Sequence, residues 1–238
     1  LAASPRVEFT VQNPAKTTDI NVTRTLSLIE AVRDSANKPR IVFSSTCAVY
    51  GDAVEIPTTE HCEKYPLSPY GLQKSMVEDF LRMSSRLYGI DAVSLRYFNV
   101  YGPMQLGDSP YSTVVSAWCH KLKNGEFLRS DGDGEQTRDM IYVRDVVEAN
   151  ILAATRKERF AGETINIGTG KRVSNNQILE IFKSNFENVK IVNAPARPGD
   201  VRDTQADNNR AMNQLSWIPR VSFEDGLKRT WKWWELKN

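Results

Sequence analysis

The chain is predicted to be an α/β protein built on a parallel sheet, because stretches of helical periodicity alternate with short β-branched runs along most of its length. Two further observations support this. No internal repeat, low-complexity tract or charged linker interrupts the alternation, and the breakers Pro39 and Gly89 fall where a helix must give way to a strand. At 238 residues the chain can bury one large core or two modest ones, and 40% hydrophobic with 25% charged residues excludes general disorder.

The elements follow in order. After Pro14 and Asp19, Val22, Leu26, Ile29 and Val32 recur at helical spacing until Asn37-Lys38-Pro39 stops the helix, and Arg40 to Ser44 reads as a short buried strand. A second helix starts near Pro69, carries Val77, Phe80, Leu81 and Leu87 on one face, and ends at Gly89. Ala92 to Leu95 is the next strand. From Tyr101 the pattern loosens into Gly/Pro-rich loops with a helix near 113–123, a strand at Ile141-Tyr142-Val143 and a helix capped by Asp145. A strand at Thr164 to Ile167, a helix capped by Ser174, a strand at Val189 to Val192 and an amphipathic helix from Phe223 complete the chain. Trp231, Trp233 and Trp234 read as core of that last helix, and Gly132, Gly134, Gly168 and Gly170 read as turns. The division falls at residue 160: a nucleotide-fold half over 1–160, and a substrate-facing half over 161–238 with contributions from about 99–140.

Charge and cysteine content narrow the function classes. Lys+Arg 31 against Asp+Glu 29, without a basic stripe, argues against nucleic acid as a main partner. The cysteines at 47, 62 and 119 form no CxxC pair, and His61 and His120 belong to no spaced ligand set, so no metal is expected. No apolar run approaches the ~18 residues of a membrane span, and sparse cysteine fits a reducing compartment; the expected location is the cytoplasm.

The chemistry-bearing signal is Tyr70-Gly71-Leu72-Gln73-Lys74, with Ser44-Ser45-Thr46 upstream at a strand end. Positions four apart share a helix face, so Tyr70 and Lys74 stack. An ammonium that close is expected to depress the tyrosine pKa and make it a base near neutral pH, with the Thr46 hydroxyl as a proton relay. Taken alone, such a pair is usually a solvated face.

Its surroundings are specific. Ser44 to Gly51, Pro66 to Gly71 and Arg96 to Pro103, followed by Asp131 to Asp139, Asn166-Ile167-Gly168 and Arg197-Pro198-Gly199-Asp200, together resemble the extended short-chain dehydrogenase/reductases. Within these, the chain is most similar to the NAD-dependent UDP-hexose 4-epimerases, including those acting on N-acetylhexosamines. The resemblance implies a Rossmann-type doubly wound sheet with a smaller α/β substrate region. It implies Thr46, Tyr70 and Lys74 as catalytic residues, with Leu1, Ala2, Ala3, Asn21, Ser44, Tyr70, Lys74 and Phe98 around NAD. It implies Ser45, Asn99, Arg138, Arg197, Asp200 and Thr204 around the UDP-sugar, and a homodimer through a four-helix bundle of helices 17–36 and 69–88, with Leu28 and Met76 as contacts. Thr204 stands where a bulky tyrosine would exclude a C2 acetamido group. Sister dehydratases carry carboxylates directly after the Ser/Thr, where this chain has Cys47 and Ala48, and decarboxylases commonly keep a Glu there. Those two reactions are therefore less expected alternatives.

The family's opening strand, its GxxGxxG turn and its ribose-binding acidic residue have no counterpart in these residues. The expectation is a truncated sheet lacking its first strands and the adenine half of the NAD site, with activity in doubt. A non-catalytic UDP-sugar-binding module is the competing reading; calorimetry showing UDP binding without NAD binding would favour it.

Overall fold

The computed structural model describes residues 3–108, 112–196 and 201–236. The chain begins with α1 (Val7–Gln12), α2 (Pro14–Thr18) and α3 (Arg24–Asp34), with a π-helical segment at Asp19–Thr23 joining the last two. Pro14 opens α2 where an N–H would have no partner. The widened turn brings Asn21 inward to 4% exposure. Next come β1 (Ile41–Thr46), α4 (Pro69–Tyr88) and β2 (Ala92–Tyr97). Ser68 caps α4 by accepting the Gly71 N–H at 3.2 Å, and Gly89 closes it at φ +63°, a left-handed conformation that suits glycine.

β1, β2 and β7 (Ala161–Ile167) form a parallel sheet in the order β1-β2-β7. In register, Thr46 pairs with Tyr97 and Tyr97 with Ile167, so the carboxyl ends of all three strands lie together. In open parallel sheets that edge is where ligands bind. Strand alternation divides the packing. Val93 and Leu95 of β2 and Ile165 and Ile167 of β7 face a core shared with Val146, Ala149 and Ala153 of α6 (Val143–Thr155). On the other face Ala92 packs with Val22, Ile29, Val32, Val77 and Leu81 from the helices around α3 and α4. Helices thus cover both faces, the doubly wound arrangement expected. β7 lies just past residue 160 and is the third strand of this sheet, so packing joins residues on both sides of that division.

A second core is built from shorter pieces. β3 (Asn99–Tyr101) pairs in parallel with β6 (Met140–Tyr142), β4 (Leu128–Asp131) with β9 (Ile191–Ala194), and β5 (Thr137–Arg138) pairs antiparallel with β8 (Val173–Ser174). Around them α5 (Val114–Lys123), α7 (Asn175–Asn185) and α9 (Phe223–Leu236) bury Trp118, Phe182, Leu227 and Trp234. Of the tryptophan-rich tail, Trp234 is core, and Trp231 and Trp233 are partly buried against it. Ser174 and Gln177 form a reciprocal capping box at the start of α7.

Three local expectations are corrected. Asp145 does not cap α6: Tyr142 occupies the cap, and Asp145 sits in the first turn, buried, accepting the Val221 N–H at 3.1 Å. The strand expected at 141–143 ends at Tyr142, because α6 takes Val143. Finally the strand expected at 189–192 runs Ile191–Ala194, set by its pairing with β4, and α1, β3, β4 and α8 (Asn209–Leu215) have no expected counterpart; Leu128 is the one apolar side chain of β4 and depends on partners far along the chain.

Candidate active site

Tyr70 and Lys74 stand one turn apart at the start of α4, over the end of β1 that carries Ser44 and Thr46. Gly71 permits this approach. A Cβ there would come within 2.6 Å of the Ala48 carbonyl in the 3₁₀ turn after Thr46, so only glycine lets the helix start lie against that turn. The Thr46 hydroxyl accepts the Ala48 N–H at 3.2 Å. Lys74 is 6% exposed, donates to the Ser44 carbonyl at 2.8 Å, and lies 4.6 Å from the centre of the Phe43 ring. The Ser44 hydroxyl shares a hydrogen bond with Tyr97 at 3.1 Å, and Tyr97 donates to Asn150 at 2.8 Å.

The electrostatics correct one expectation. Burial pushes Tyr70 up to about 12, with the Cys47 thiol adding to the rise and the Thr46 hydrogen bond opposing it. Lys74 does not depress it, because the ammonium points at the Ser44 carbonyl and lies 5.8 Å from the Tyr70 ring centre. Lys74 is itself lowered to about 8 by burial, with Glu78 partly restoring its charge. This has a signed consequence for folding. The folded chain holds the Lys74 proton less tightly than the unfolded chain, whose lysine has the ordinary value of 10.5, so between about 8 and 10.5 the unfolded state binds more protons and stability rises with pH. Urea denaturation is expected to show wild type gaining on Lys74→Met across that window. A constant difference would contradict the burial of a charged lysine.

Asn99, Arg138 and Thr204, which the resemblance assigns to the substrate side, lie together beside β3 and β5. The Thr204 hydroxyl donates to Asn99 Oδ1 at 3.3 Å and accepts the Asp139 N–H at 3.2 Å. Arg138 Nη1 donates to the carbonyls of Thr137 and Arg202 at 3.0 and 3.1 Å. Asp139 is fully buried, its carboxylate accepting from the N–H groups of Thr169, Gly170 and Ala206 and from the Thr169 hydroxyl, at 2.6 to 3.0 Å. The charges of Asp139 and Arg138 both act on Cys47, whose thiol is pushed up to about 12 chiefly by burial, and Cys47 acts on Tyr70. The tyrosine centre and the Arg138 strand therefore adjoin.

Other expected residues fall differently. Ser45 is 3% exposed and its hydroxyl donates to Glu78 at 2.6 Å, because strand alternation turns it toward α4; any sugar contact from it must use its backbone. The Asn21 amide donates to the Ser4 carbonyl and to Gln73, and accepts the Ser4 N–H, so it braces the segment following Ala3. Phe98 is buried with Val49, Tyr50 and Ala206. Leu1, Ala2, Arg197 and Asp200 lie outside the described residues. Gln73 escaped the sequence reading, although its place between Tyr70 and Lys74 was the available signal: it donates to the hydroxyls of Thr17 and Thr18 and locks α4 to the opening helices. A groove of about 920 Å³ is lined by Met140, Val173, Val221 and Phe223 among others, and none of Thr46, Tyr70 or Lys74 lines it.

A family profile described as GDP-mannose 4,6 dehydratase matches residues 1–230. The chain belongs to the NAD-dependent epimerase/dehydratase family. Among solved members, the UDP-N-acetylglucosamine 4-epimerase of Methanobrevibacter ruminantium M1, in complex with UDP-N-acetylmuramic acid, is 36% identical with a TM-score of 0.94, over 99% of this chain and 75% of that one. The UDP-glucose 4-epimerase of Thermotoga maritima with UDP-glucose is 36% identical with a TM-score of 0.91, over 99% and 76%. MoeE5 in complex with UDP-glucose and NAD is 32% identical with a TM-score of 0.89, over 99% and 78%. The chain thus spans about three quarters of the length of these family members.

The donor set fits the family's cofactor. Lys74 commits one of its three N–H donors to Ser44, leaving an ammonium suited to the paired hydroxyls of a ribose, and the Tyr70 hydroxyl stands one turn away. Among the described residues no group of His, Cys, Asp and Glu is arranged to hold a metal, and no helix is long and apolar enough to cross a membrane.

Proposed function

We propose that this chain carries the reaction centre of an NAD-dependent UDP-sugar 4-epimerase of the cytoplasm. One observation supports this above the others: Tyr70 and Lys74 share a helix face over the strand end bearing Ser44 and Thr46, while Cys47 and Ala48 occupy the positions where elimination would require carboxylates. Tyr70 takes the proton of the sugar C4 hydroxyl and gives it back, Thr46 relays it, and Lys74 holds the nicotinamide ribose. NAD, when bound, supplies a reversible hydride acceptor and a positive charge. Leu1, Ala2, Ala3, Asn21, Ser44 and Phe98 are assigned to the cofactor side, with Asn21 acting through the Ser4 segment. Asn99, Arg138, Arg197 and Asp200 are assigned to the nucleotide diphosphate and its ribose, work suited to forked cationic donors and a carboxylate. The test is interconversion of UDP-glucose and UDP-galactose by the full gene product with NAD; purified, folded protein that binds both ligands and yields no C4 epimer would overturn the reading.

Sugar choice is assigned to Thr204. Its hydrogen bonds with the Asn99 side chain and the Asp139 N–H support this assignment. A threonine leaves room for an acetamido group that a phenol ring would fill, and pocket discrimination of this kind is worth about 1–3 kcal/mol. Both sugar classes are expected to turn over, with a tilt toward the N-acetylated one. Thr204→Tyr should lower kcat/KM for UDP-N-acetylglucosamine about 10-fold or more relative to UDP-glucose. Equal losses on both substrates would remove Thr204 as the gate.

The assembly is proposed to be a homodimer through the helices at 17–36 and 69–88. Leu28 and Met76 are exposed there, together with Leu72 and Leu87, which fits an apolar interface. Light scattering on the full gene product that gives a monomer mass would contradict it.

A further inference from the structure

A buried charge cluster lies beneath the proposed reaction centre. Glu78 is one turn beyond Lys74 on α4 and is 2% exposed. Its carboxylate is gripped from three sides. Arg96 of β2 donates to both oxygens, Nε to Oε1 at 2.9 Å and Nη2 to Oε2 at 2.7 Å; the Ser45 hydroxyl of β1 donates to Oε1 at 2.6 Å; and Lys64 lies 3.7 Å from Oε2. Arg96 is held in turn by Tyr50, whose hydroxyl donates to Asn166 of β7. One carboxylate thereby ties α4 to β1 and β2, and through Tyr50 to β7.

We propose that Glu78 is a positioning residue acting on the reaction centre through Lys74: it supplies the buried counter-charge for the Lys74 ammonium, and Arg96 and Ser45 fix where that charge sits. The inference deepens the epimerase reading by assigning control of its Lys74, but the charge coupling itself does not require that reading. The groups facing Lys74 support it. Its own helix brings Tyr70 and Glu78 and β1 brings Ser44 and the Phe43 ring, while Arg96 of β2 and Lys64 of the loop before α4, which also pairs with Asp79 at 2.7 Å, both meet Glu78. Two of these neighbours, Arg96 and Lys64, are cations. Without the carboxylate, three cations would share one desolvated region, and the lysine would be the one able to give up its charge. Burial lowers Lys74 and Glu78 is the group that opposes the fall. Arg96 keeps its proton regardless, so it can anchor the carboxylate without titrating.

The test reads Lys74 directly, by the pH dependence of its 13Cε and 15Nζ resonances in the full chain without cofactor. Glu78→Gln is expected to lower the proton affinity of Lys74 about 10-fold. Lys64→Met, at a partly exposed loop site, removes a cation that competes for the Glu78 carboxylate and should raise that affinity about threefold. Glu78→Asp, which keeps the charge and shortens the arm, should restore most of the wild-type midpoint. An unmoved Lys74 midpoint in Lys64→Met overturns the proposal even if Glu78→Gln fails to fold, and an unmoved midpoint in folded Glu78→Gln does the same. In turnover, Glu78→Gln should move the alkaline limb of kcat to lower pH while leaving the KM for UDP-sugar unchanged. A shifted Lys74 titration in a chain without epimerase activity would retain the coupling and count against the epimerase reading alone.

Discussion

Tyr70→Phe is expected to lower kcat about 100- to 10,000-fold, the range for loss of a positioned general base, while UDP-sugar affinity stays within about twofold. The substitution removes one oxygen from a ring held at the start of α4, so packing against the Gly71 approach survives. Without added positive charge, Tyr70 sits at about 12 and is a neutral phenol at pH 7. Proton abstraction from a sugar hydroxyl near neutral pH therefore requires that the tyrosine be brought down when cofactor and substrate assemble around it. The cost of burying the phenolate is what must be offset, and Lys74, turned toward Ser44, does not offset it in the chain by itself. Wild-type kcat should rise with pH until the tyrosine of the assembled site is ionised, and the Phe variant should show no such rise. Isothermal titration with UDP and stopped assays of C4 epimer formation separate the two effects. Retained turnover in the Phe variant would remove Tyr70 as the base.

The contrast between residues that could be read in advance and those that could not has a physical basis. Val22 to Val32 and Val77, Phe80 and Leu81 repeat with helical period, and local periodicity reports burial against one neighbour, whereas Leu87, expected on the same face, lies exposed at the end of α4. The helix end at Gly89 and the cap at Ser174 are local for the same reason. Tyr70 and Lys74 were legible because a helix fixes their spacing. The charge state of that pair was not. It depends on which carbonyl the ammonium reaches and on how much water the β1–α4 contact expels, both of which are tertiary facts. Ser45 shows the same limit, since it lies beside Thr46 in sequence yet faces Glu78, and which strand face meets α4 is settled by packing. β4 and β5 carry almost no apolar signal and exist because β9 and β8 pair with them.

Asp139→Ala is expected to destabilise the chain by about 3 kcal/mol and to loosen sugar discrimination at once. The Asp139 carboxylate gathers four donors from two loops: the N–H groups of Thr169, Gly170 and Ala206 and the Thr169 hydroxyl. Truncation leaves those donors without an acceptor in a region closed to water, each costing about 1–3 kcal/mol, while removal of a buried charge gives part of that back. Gly168 sharpens the dependence, since a Cβ there would stand 2.6 Å from the Ala206 side chain and 2.8 Å from Asp139 Oδ2; the loop after β7 is packed directly on the carboxylate. Ala206 lies two residues from Thr204, whose hydroxyl bridges Asn99 and the Asp139 N–H. Releasing Ala206 frees Thr204, so the preference between N-acetylated and unmodified sugars should shrink in Asp139→Ala, whereas Asp139→Asn, which keeps one acceptor oxygen, should retain part of both stability and preference. Urea denaturation and paired kcat/KM measurements on UDP-N-acetylglucosamine and UDP-glucose read the two consequences. An Asp139→Ala chain within 1 kcal/mol of wild type would show that these four hydrogen bonds do not hold the loops together.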